Sequence, residues 1–539
     1  MSAAPQTAAS SGRKKAIGDR SLAIGDTAKP PAALGHESQN TLPNDVAKDH
    51  GDLPVGWTEQ RIEQLFTPLE DGRTLHQGWS PQCEKVPSPS EDVWGVLKTT
   101  SIQAGEFQPE HNKLLPSSLE PRPLIEVKEG DILITCAGPR VRCGVSCLVR
   151  QTRKRLMMSG KMYRFRVDSD RTDPRYLEAF LQTERARLAI DKMKTGSSDS
   201  GLNLTHDRFR QLSIPVAPLP EQRRIVAEIE KQFTRLEAGV AALRRVQANL
   251  KRYRAAVLKA ACEGKLVATE AELARVGRVP PRGVRPIAKN AAPWDAAYNH
   301  APYETGEQLL QRILAERRKN WTGRGKYKEP GAPDPANLPP LPEGWTWASV
   351  EQISTRVVDG VHKKPNYVPS GIPFVTVRNL TAGPGISLER LHYITPHDHQ
   401  EFIRRANPEP GDILVSKDGT LGVIRVIKTE EVFSIFVSVA LVKPVFRDMS
   451  DFLAHALSAP QVQAQMVPKG SGLQHIHLED LREDCVPLPP LAEQTRIVAE
   501  VERRLSVVEE LEAVVSVNLQ RATRLRQSIL QKAFLGGLT

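Results

Sequence analysis

The sequence predicts a mixed α/β protein in which two α/β domains are separated by an intramolecular antiparallel coiled coil of two ~40-residue helices. Three observations support this fold class. The chain repeats its own motifs in order, each copy mixes short β-rich runs with turn residues, and each copy ends in a long run of helical periodicity. The 539 residues would also form three or four folded units at roughly 100–200 residues per domain.

Five motifs occur twice and in the same order. The pairs are Leu53–Thr58 (LPVGWT) with Leu341–Thr346 (LPEGWT), Asp71-Gly72 with Asp359-Gly360, Gly130–Ile134 with Gly411–Val415, Ser200–Leu202 with Ser471–Leu473, and Glu221–Glu228 with Glu493–Glu500. The last pair has an offset of 272 residues, which holds without a gap to Gly264 and Gly536. Chance similarity does not produce five matches in one order, so the sequence predicts one duplicated unit.

The order of these features divides the chain into parts. They are a disordered tail (1–50), a first α/β domain (51–217), a central long helix (218–266), a linker (267–340) with a short helix (305–320), a second α/β domain (341–489) and a C-terminal long helix (490–539). The tail is rich in Ala, Ser and Pro and lacks periodicity. The linker combines an extended proline-rich stretch with a Thr305–Gln308 capping box before an apolar helical run.

Each α/β domain contains strand and helix candidates. Ile132–Cys136 and Ile413–Ser416 are predicted strands entered through a Gly-Asp turn, and Val432–Val442 is a predicted buried strand. Tyr176–Ile190 and Asp451–Met466 have helical spacing. Each domain is therefore expected to be mixed α/β and of ordinary size.

The two long helices are the clearest elements, because apolar residues recur in steps of four and three, the seam pattern of a coiled coil. The predicted seam residues are Ile229, Phe233, Leu236, Val240 and Leu243 in the first helix and Val501, Leu505, Val508, Leu511 and Val515 in the second. A helix of ~40 residues is ~60 Å long, so its apolar stripe needs a partner, and the other copy is available in the same chain. The linker is long enough to run back along such a helix, which allows antiparallel packing.

The charge balance points to a polyanionic partner. Lys and Arg number 74 against 63 Asp and Glu, which gives a formal net charge of +11 and a pI near 9.3. Aromatic residues are only 5%, which argues against a stacking platform for single strands. No apolar run suits a membrane span or a secretory signal, and six cysteines are too few for a disulfide scaffold, so we expect a cytoplasmic protein.

The sequence contains only incomplete versions of catalytic and metal-binding motifs. Gly323–Lys326 lacks the spacing and the following hydroxyl residue of a Walker A loop. Cys136, Cys143 and Cys147 have no second pair or histidine at zinc spacing, so buried free thiols are the preferred interpretation. The pair in His475–His477 has no third ligand nearby in the sequence. We therefore predict no catalytic, cofactor-binding or metal-binding residues in this chain.

Positive charge and small polar residues mark candidate contacts with a phosphate backbone. Nine Lys and Arg residues and no acidic residue lie between Pro139 and Arg166, and such cations repel one another unless an anion is near. Two loops before the long helices combine Lys, Gly, Ser and Gln, which suit phosphate contacts. Residue types that read base edges also occur in the second half, with Lys98 as an approximate counterpart of Arg378. The candidate DNA-binding residues are Lys98, Arg140, Arg142, Lys154, Arg155, Lys192, Lys194, Ser197, Lys363, Lys364, Arg378, Asn379, Lys469, Ser471, Gln474 and His475.

These duplicated motifs, taken together from Leu53 to the C-terminus, resemble the specificity (S) subunit of type I restriction–modification systems. The resemblance implies two target-recognition domains that each read one half of a split duplex DNA site, with the coiled coil as a ruler for the gap. It implies a non-catalytic chain that binds two methyltransferase subunits and an endonuclease and translocase subunit. It also implies that S-adenosylmethionine, ATP and Mg belong to those partners. The tail has no explanation in this resemblance.

Because the two globular sequences differ, the half-sites are expected to differ, which would give an asymmetric bipartite target. Two other functions stay open at this point. A DNA methyltransferase or nuclease complete in one chain would bind S-adenosylmethionine or cleave DNA alone. A coiled-coil scaffold without DNA function would explain the helices but not the duplicated basic domains.

Overall fold

The computed structural model describes residues 53–276, 303–322, 325–334, 336, 338–389, 391–470 and 474–538. The predicted tail, the middle of the linker and Ser471 lie outside these residues. Two sheet-containing domains are joined by two long helices that pack on one another, so the predicted fold class is confirmed. None of the described helices combines the length and the hydropathy that a membrane span requires.

The first domain is built from short strands around a central strand, β8. Its strands are β1 Thr58–Arg61, β2 Phe66–Thr67, β3 His76–Gln77, β4 Gly95–Leu97, β5 Ile102–Gln103, β6 Glu106–Phe107, β7 Asn112–Leu114, β8 Ile132–Thr135, β9 Ala137–Gly138, β10 Ser146–Leu148, β11 Leu156–Met157, β12 Met162–Val167, β13 Leu202–Asn203 and β14 Ser213–Val216. Its helices are α1 Pro174–Leu181, α2 Glu184–Met193 and α3 His206–Arg210. β8 lies between β10 and β12, whereas β4 lies between β11 and β7 in a second sheet.

The described part of the segment between the domains contains three helices. They are the long helix α4 Leu219–Cys262 and the shorter helices α5 Glu270–Val276 and α6 Gly306–Lys319. The predicted capping box begins α6, because the Thr305 hydroxyl accepts from the Gln308 amide at 3.2 Å and the Gln308 side chain accepts from the Thr305 amide at 2.9 Å.

The second domain repeats the plan of the first. Its strands are β15 Thr346–Ser349, β16 Ser354–Asp359, β17 Tyr367–Val368, β18 Ile372–Val375, β19 His392–Ile394, β20 Ile413–Ser416, β21 Ile424–Val426, β22 Ser434–Ile435, β23 Val439–Pro444 and β24 Cys485–Leu488. Its helices are α7 Val350–Ile353, α8 Val377–Thr381, α9 Pro396–Phe402, α10 Ser450–Ser458, α11 Pro460–Gln463 and α12 Leu478–Glu483, followed by the long helix α13 Leu491–Ala533. The sheet orders are β16-β23-β20-β21 and β17-β19-β18-β22.

Three predicted elements are divided in the structure. Val432–Val442 forms β22 and β23 rather than one strand, because the first pairs with β18 and the second with β20 in a different sheet. Tyr176–Ile190 forms α1 and α2, because the Thr183 hydroxyl caps a new helix. Asp451–Met466 forms α10 and α11, because Pro460 starts a new helix.

The sheet register corrects one pair of the predicted repeat. The Gly78 amide donates to the Met162 carbonyl and the Gly360 amide to the Val439 carbonyl, both at 3.2 Å. Met162 and Val439 are the first residues of the equivalent strands β12 and β23, so Gly360 matches Gly78 and not Gly72. In both places a Cβ would lie within 2.3 Å of a backbone carbonyl oxygen, which is why a side chain does not fit.

Two repeated motifs hold each domain to its long helix. The Trp57 indole donates to Glu221 Oε1 and the Trp345 indole to Glu493 Oε1, both at 3.1 Å. The tryptophan motif at the start of each domain therefore contacts the glutamate at the start of the helix that follows the domain. This contact explains why the sequence repeats both motifs.

The Gly-Asp motif is also structural in both copies. Gly130 and Gly411 have φ of +85° and +86°, which turns the chain into β8 and β20. The following aspartates are buried and accept from Arg166 in the first domain and Lys443 in the second. A buried charge is tolerated here because a cation and a backbone amide contact it.

The long helices pack antiparallel, as predicted. Arg254 of α4 lies 3.5 Å from Glu509 of α13, and Arg526 of α13 lies 3.1 Å from Glu237 of α4. The two pairs are repeat equivalents, since both the arginines and the glutamates are 272 residues apart. The helix pair is therefore related by an approximate twofold axis.

Nine of the ten predicted seam residues are buried or half-buried, and Leu511 is the exception at 45% exposure. Heptad steps from Leu505 place Glu512 at the seam, where its carboxylate lies 3.4 Å from Arg254. The assignment of Leu511 is wrong because an ion pair occupies the position that an apolar residue was expected to fill.

Each long helix begins on its own domain and ends in the core of the other. Val257, Ala261 and Cys262 of α4 pack with Trp345 in the core of the second domain. Phe534, at the end of α13, lies with its ring centroid 4.9 Å from Tyr176 of the first domain.

The linker has a different course from the one expected. α4 already ends at the second domain, and α6 buries Leu309, Leu310 and Ile313 in that domain's core. α5 is held to the start of α13, where Arg496 pairs with Glu270 at 2.5 Å. A return path along the helix is therefore not needed for antiparallel packing.

Candidate nucleic-acid interface

Each domain brings two loops together at the end of its central strand. In the first domain, residues 136–144 follow β8 and lie beside residues 194–204, with the Leu204 amide 2.8 Å from the Cys136 carbonyl. In the second domain, residues 417–422 follow β20 and lie beside residues 469–470 and 474–476, with the Ile476 amide 2.9 Å from the Lys417 carbonyl. We call these the first and second loop pairs.

The two loops singled out in the sequence therefore occupy the same place in the two domains. The expectation that the basic run of the first domain lacks acidic partners is wrong, however. Arg140 pairs with Asp191 at 2.6 Å and Asp199 at 3.0 Å, and buried Arg164 lies 3.4 Å from Asp131. Arg150, Arg155 and Arg166 also have acidic partners, namely Glu178, Asp92 and Asp131. The basic run lacks acidic neighbours in sequence only, since the fold supplies them from distant segments.

Two of the candidate DNA-binding residues instead form hydrogen bonds and ion pairs within the first domain. Arg142 donates to the Ile102 carbonyl at 2.7 Å and to Gln103 at 3.2 Å. The Lys194 side chain is 7% exposed and its ammonium lies 2.8 Å from Asp191. Both residues shape the first loop pair, which corrects the expectation that they face a DNA backbone.

The remaining candidate DNA-binding residues of the first domain lie at opposite ends of the sheet that contains β4 and β11. β4 and β11 run parallel, and Lys98 follows β4 at the end where the first loop pair lies. Lys192 and Ser197 are exposed close to that loop pair. Lys154 and Arg155 are exposed but precede β11, so the fold does not bring them to the loops. Lys98, Lys192 and Ser197 stay predictions as DNA contacts.

A buried carboxylate organises the second loop pair. Asp359, at the end of β16, accepts from Arg405 and from His362 Nε2 at 3.1 Å, and Lys417 lies 3.4 Å from it. Burial acts to raise the pKa of Asp359, but the hydrogen bonds from Arg405 and His362 and the charge of Lys417 outweigh it, so its pKa lies below the usual range. The carboxylate therefore holds three cationic or polar groups in fixed positions.

Arg405 and Lys417 are functional candidates that sequence reasoning missed. Lys417 could have been found, because it directly follows the predicted strand and matches Cys136, the residue after β8. Arg405 carries no sequence signal, since it reaches Asp359 from the end of α9. Its side chain is 49% exposed, so it can contact both Asp359 and a ligand.

The candidates next to this cluster have different surroundings. Lys363, Lys364 and Arg378 are exposed. Asn379 is buried, accepts from the Thr376 amide at 2.9 Å and donates to a backbone carbonyl at 3.1 Å. Its assignment as a base-reading residue is wrong, because its amide group caps α8.

The other loop of the second pair is only partly described. Lys469 pairs with Asp480 at 2.8 Å, and the backbones of Lys469 and His475 hydrogen-bond to each other. Gln474 is exposed, and Ser471 lies outside the described residues. The His475 and His477 rings are 4.6 Å apart.

The cysteines beside the first loop pair are buried free thiols, as the sequence interpretation expected. Burial raises the pKa of Cys136 to about 12, so this thiol is protonated and unreactive at neutral pH. Over the described residues, no three His, Cys, Asp or Glu side chains are grouped as a metal site would require.

Comparisons with known proteins agree with this architecture. A family model described as the type I restriction modification DNA specificity domain matches residues 361–511. The EcoEI specificity subunit of Escherichia coli is 40% identical over 182 residues, which cover 34% of this chain and 30% of that protein. The EcoKI specificity subunit of E. coli strain K12 is 21% identical over 513 residues, which cover 91% of this chain and 90% of that protein.

A solved structure from work on complex assembly and conformational transition of the type I R-M system shares the fold. Its TM-score is 0.54 at 21% identity, over 90% of this chain and 99% of that chain. The EcoEI match spans less than a third of that subunit's length, whereas the EcoKI match and the shared fold extend over both domains and both long helices. The chain is therefore similar in sequence and in fold to type I restriction–modification DNA specificity subunits.

Proposed function

We propose that this chain reads an asymmetric bipartite site in duplex DNA for a type I restriction–modification complex and performs no catalytic step itself. The observation that carries the proposal is the pair of equivalent loop pairs on two domains that one antiparallel helix pair holds apart. Two readers at a set distance suit two half-sites separated by a gap. The proposed recognition domains correspond to residues 51–217 and 341–489.

The difference between the two loop pairs supports an asymmetric target. Gln77 and Asp359 are equivalent by sheet register, and each contacts the residue that follows the central strand. In the first domain that contact is neutral, with Gln77 3.9 Å from the Cys136 sulfur. In the second domain it is charged, with Asp359 3.4 Å from Lys417. Different side chains in equivalent positions favour different base edges.

An exposed apolar stripe on α13 supports docking of methyltransferase subunits. Val507, Leu511 and Val514 are 45–56% exposed and lie on one face of the helix at spacings of four and three residues. Contiguous exposed apolar surface marks interaction sites. In this proposal the methyltransferase subunits supply S-adenosylmethionine, an endonuclease subunit supplies ATP and Mg chemistry for restriction, and the complex acts in the cytoplasm.

The test is to express the chain with its methyltransferase partner and to sequence the modified bases in genomic DNA. The expected result is one bipartite motif that is absent without this chain. Arg405→Ala should then relax one half of the motif only, and Lys98→Ala should relax the other half, each by about 1–3 kcal/mol of discrimination. Relaxation of both halves by either variant would contradict the assignment of one half-site to each domain.

The purified chain and its complex also distinguish the two alternative functions, a single-chain enzyme and a scaffold without DNA function. Methylation or cleavage by the purified chain alone would favour a single-chain enzyme. Absence of any motif, with intact assembly of the partners, would favour a scaffold.

A further inference from the structure

A basic cleft with an aromatic wall lies in the second domain, outside both loop pairs. It is formed between Trp321 and residues 326–331, which follow α6, and β16, the edge strand of its sheet, and its volume is about 360 Å³. The cationic and aromatic residues that line it are Arg317, Trp321, Lys326, Lys328, Arg356 and Arg482. This volume admits a group about the size of a nucleotide.

The cleft has an excess of positive charge. Five cations line it against two carboxylates, Glu329 and Glu351. Glu329 pairs with Arg318, and Glu351 lies 3.9 Å from Arg317. Lys326 and Lys328 form no ion pair with any residue that the structure describes, so their charges are available to an anion.

Two of the arginines are held in place by the fold. Arg317 donates to the Ser354 carbonyl at 2.8 Å and to the Tyr327 hydroxyl at 2.9 Å. Arg482 donates to the Val357 carbonyl at 2.8 Å. A guanidinium that is already fixed loses little conformational entropy when its free N–H groups bind a phosphate.

The aromatic wall favours nucleic acid over an acidic peptide. The Trp321 side chain is 41% exposed, and its ring lies edge-on to Tyr327 at 5.6 Å. An exposed aromatic ring beside cations can pack against the sugar of a nucleotide while the cations contact its phosphate, and an acidic peptide offers no such combination.

The cleft lies near the second loop pair, so the nucleic acid that it would contact is the DNA bound there. α12 connects the cleft to the second loop pair, because Asp480 accepts from Lys469 of that loop pair while Arg482 lines the cleft two residues later. Residues two positions apart point to opposite sides of a helix, so the cleft and the second loop pair lie on either side of α12, about one helix diameter (~10 Å) apart. Duplex DNA bound at the loop pair can span that distance.

We propose that this cleft binds a phosphodiester group of duplex DNA next to the half-site read by the second domain. The inference rests on the proposed function and adds a backbone contact from the segment after α6, outside the loops. Such a contact positions the domain on DNA without carrying sequence information.

The test uses the full complex with its methyltransferase partner and a duplex that carries the target site. Lys326→Ala with Lys328→Ala should reduce the salt slope of log K by about 1.8, which corresponds to a loss of roughly 10- to 30-fold in affinity at 0.15 M salt. Ethylation of individual phosphates should show one or two positions that block binding of the wild type but not of the double variant. The preference for target over random DNA should not change.

The matched control is Lys259→Ala with Lys265→Ala, which removes two exposed charges at the end of α4 and should leave the slope and the ethylation pattern unchanged. Equal slopes and identical ethylation patterns for wild type and the cleft variant would overturn the inference. Inhibition of wild-type binding by free AMP at this cleft, with an unchanged ethylation pattern, would also overturn it. Failure of the proposed function would look different, because the wild-type complex would then show no preference for any DNA site.

Discussion

The contact between Phe534 and the first domain sets how firmly that domain is held to the far end of α13. Phe534 is 5% exposed, and its ring lies 4.9 Å from Tyr176 and 5.3 Å from Phe180. We predict that Phe534→Ala destabilises this docking by about 3–5 kcal/mol, the range for a buried phenylalanine truncated to alanine. Leu535→Ala is the matched control, because Leu535 is 54% exposed and its truncation should cost less than about 0.5 kcal/mol.

Native-state hydrogen exchange measures this effect locally, which suits a protein whose domains need not unfold together. A loss of 3 kcal/mol should speed exchange in the last two turns of α13 by roughly 150-fold, with little change in the second domain. In the complex, the variant should also methylate sites whose gap differs from the preferred one by a base pair, because the first domain is held less firmly. Equal exchange in the two variants would refute the claim that this ring docks the domain.

Two further predictions concern a buried carboxylate and the length of the helix pair. Asp484 is buried with one unpartnered carboxylate oxygen, and burial together with two neighbouring carboxylates raises its pKa to about 7. Because folding favours its protonated form, stability is fully present below an ordinary Asp pKa of about 4 and falls as pH rises through 7, by at most about 4 kcal/mol. Urea unfolding of Asp484→Asn should lack this decline, and a decline as steep as in the wild type would contradict the raised pKa. Deleting the facing heptads 240–246 and 517–523 keeps both interhelical Arg–Glu pairs in register and removes ~10 Å of helix. The gap in methylated sites should therefore shorten by roughly 3 base pairs at ~3.4 Å each, and an unchanged gap would refute the ruler.

Much of the fold could be predicted from the sequence, because the duplication allows one half of the chain to be aligned with the other. Trp57 and Glu221 recur as Trp345 and Glu493, and each pair proves to be one hydrogen bond. The assignment of Leu511 failed because periodicity treats every apolar residue alike, whereas the structure places Glu512 at the seam in contact with an arginine.

The candidate site was predicted less well, for a physical reason. Contacts with DNA depend on which charges are already neutralised, and acidic partners such as Asp191 come from elsewhere in the chain. Asn379 has a residue type that suits base reading but serves as a helix cap. The sequence marks Asp359, the carboxylate that organises the second loop pair, only as part of a repeated Asp-Gly motif, because its partners Arg405 and Lys417 are distant in sequence.

The sequence by itself determined the duplication, the mixed α/β class and the two long amphipathic helices, since repeats and periodicity are properties of the linear order of residues. Only the tertiary structure decided which cations are free, which end of each helix enters which domain, and where α6 belongs. Those outcomes depend on contacts between residues that are distant in sequence, such as Arg140 with Asp191 and Tyr176 with Phe534. The α4 helix ends in the second domain because its last apolar residues complete that domain's core, and burial of apolar surface, rather than linker length, selects that arrangement.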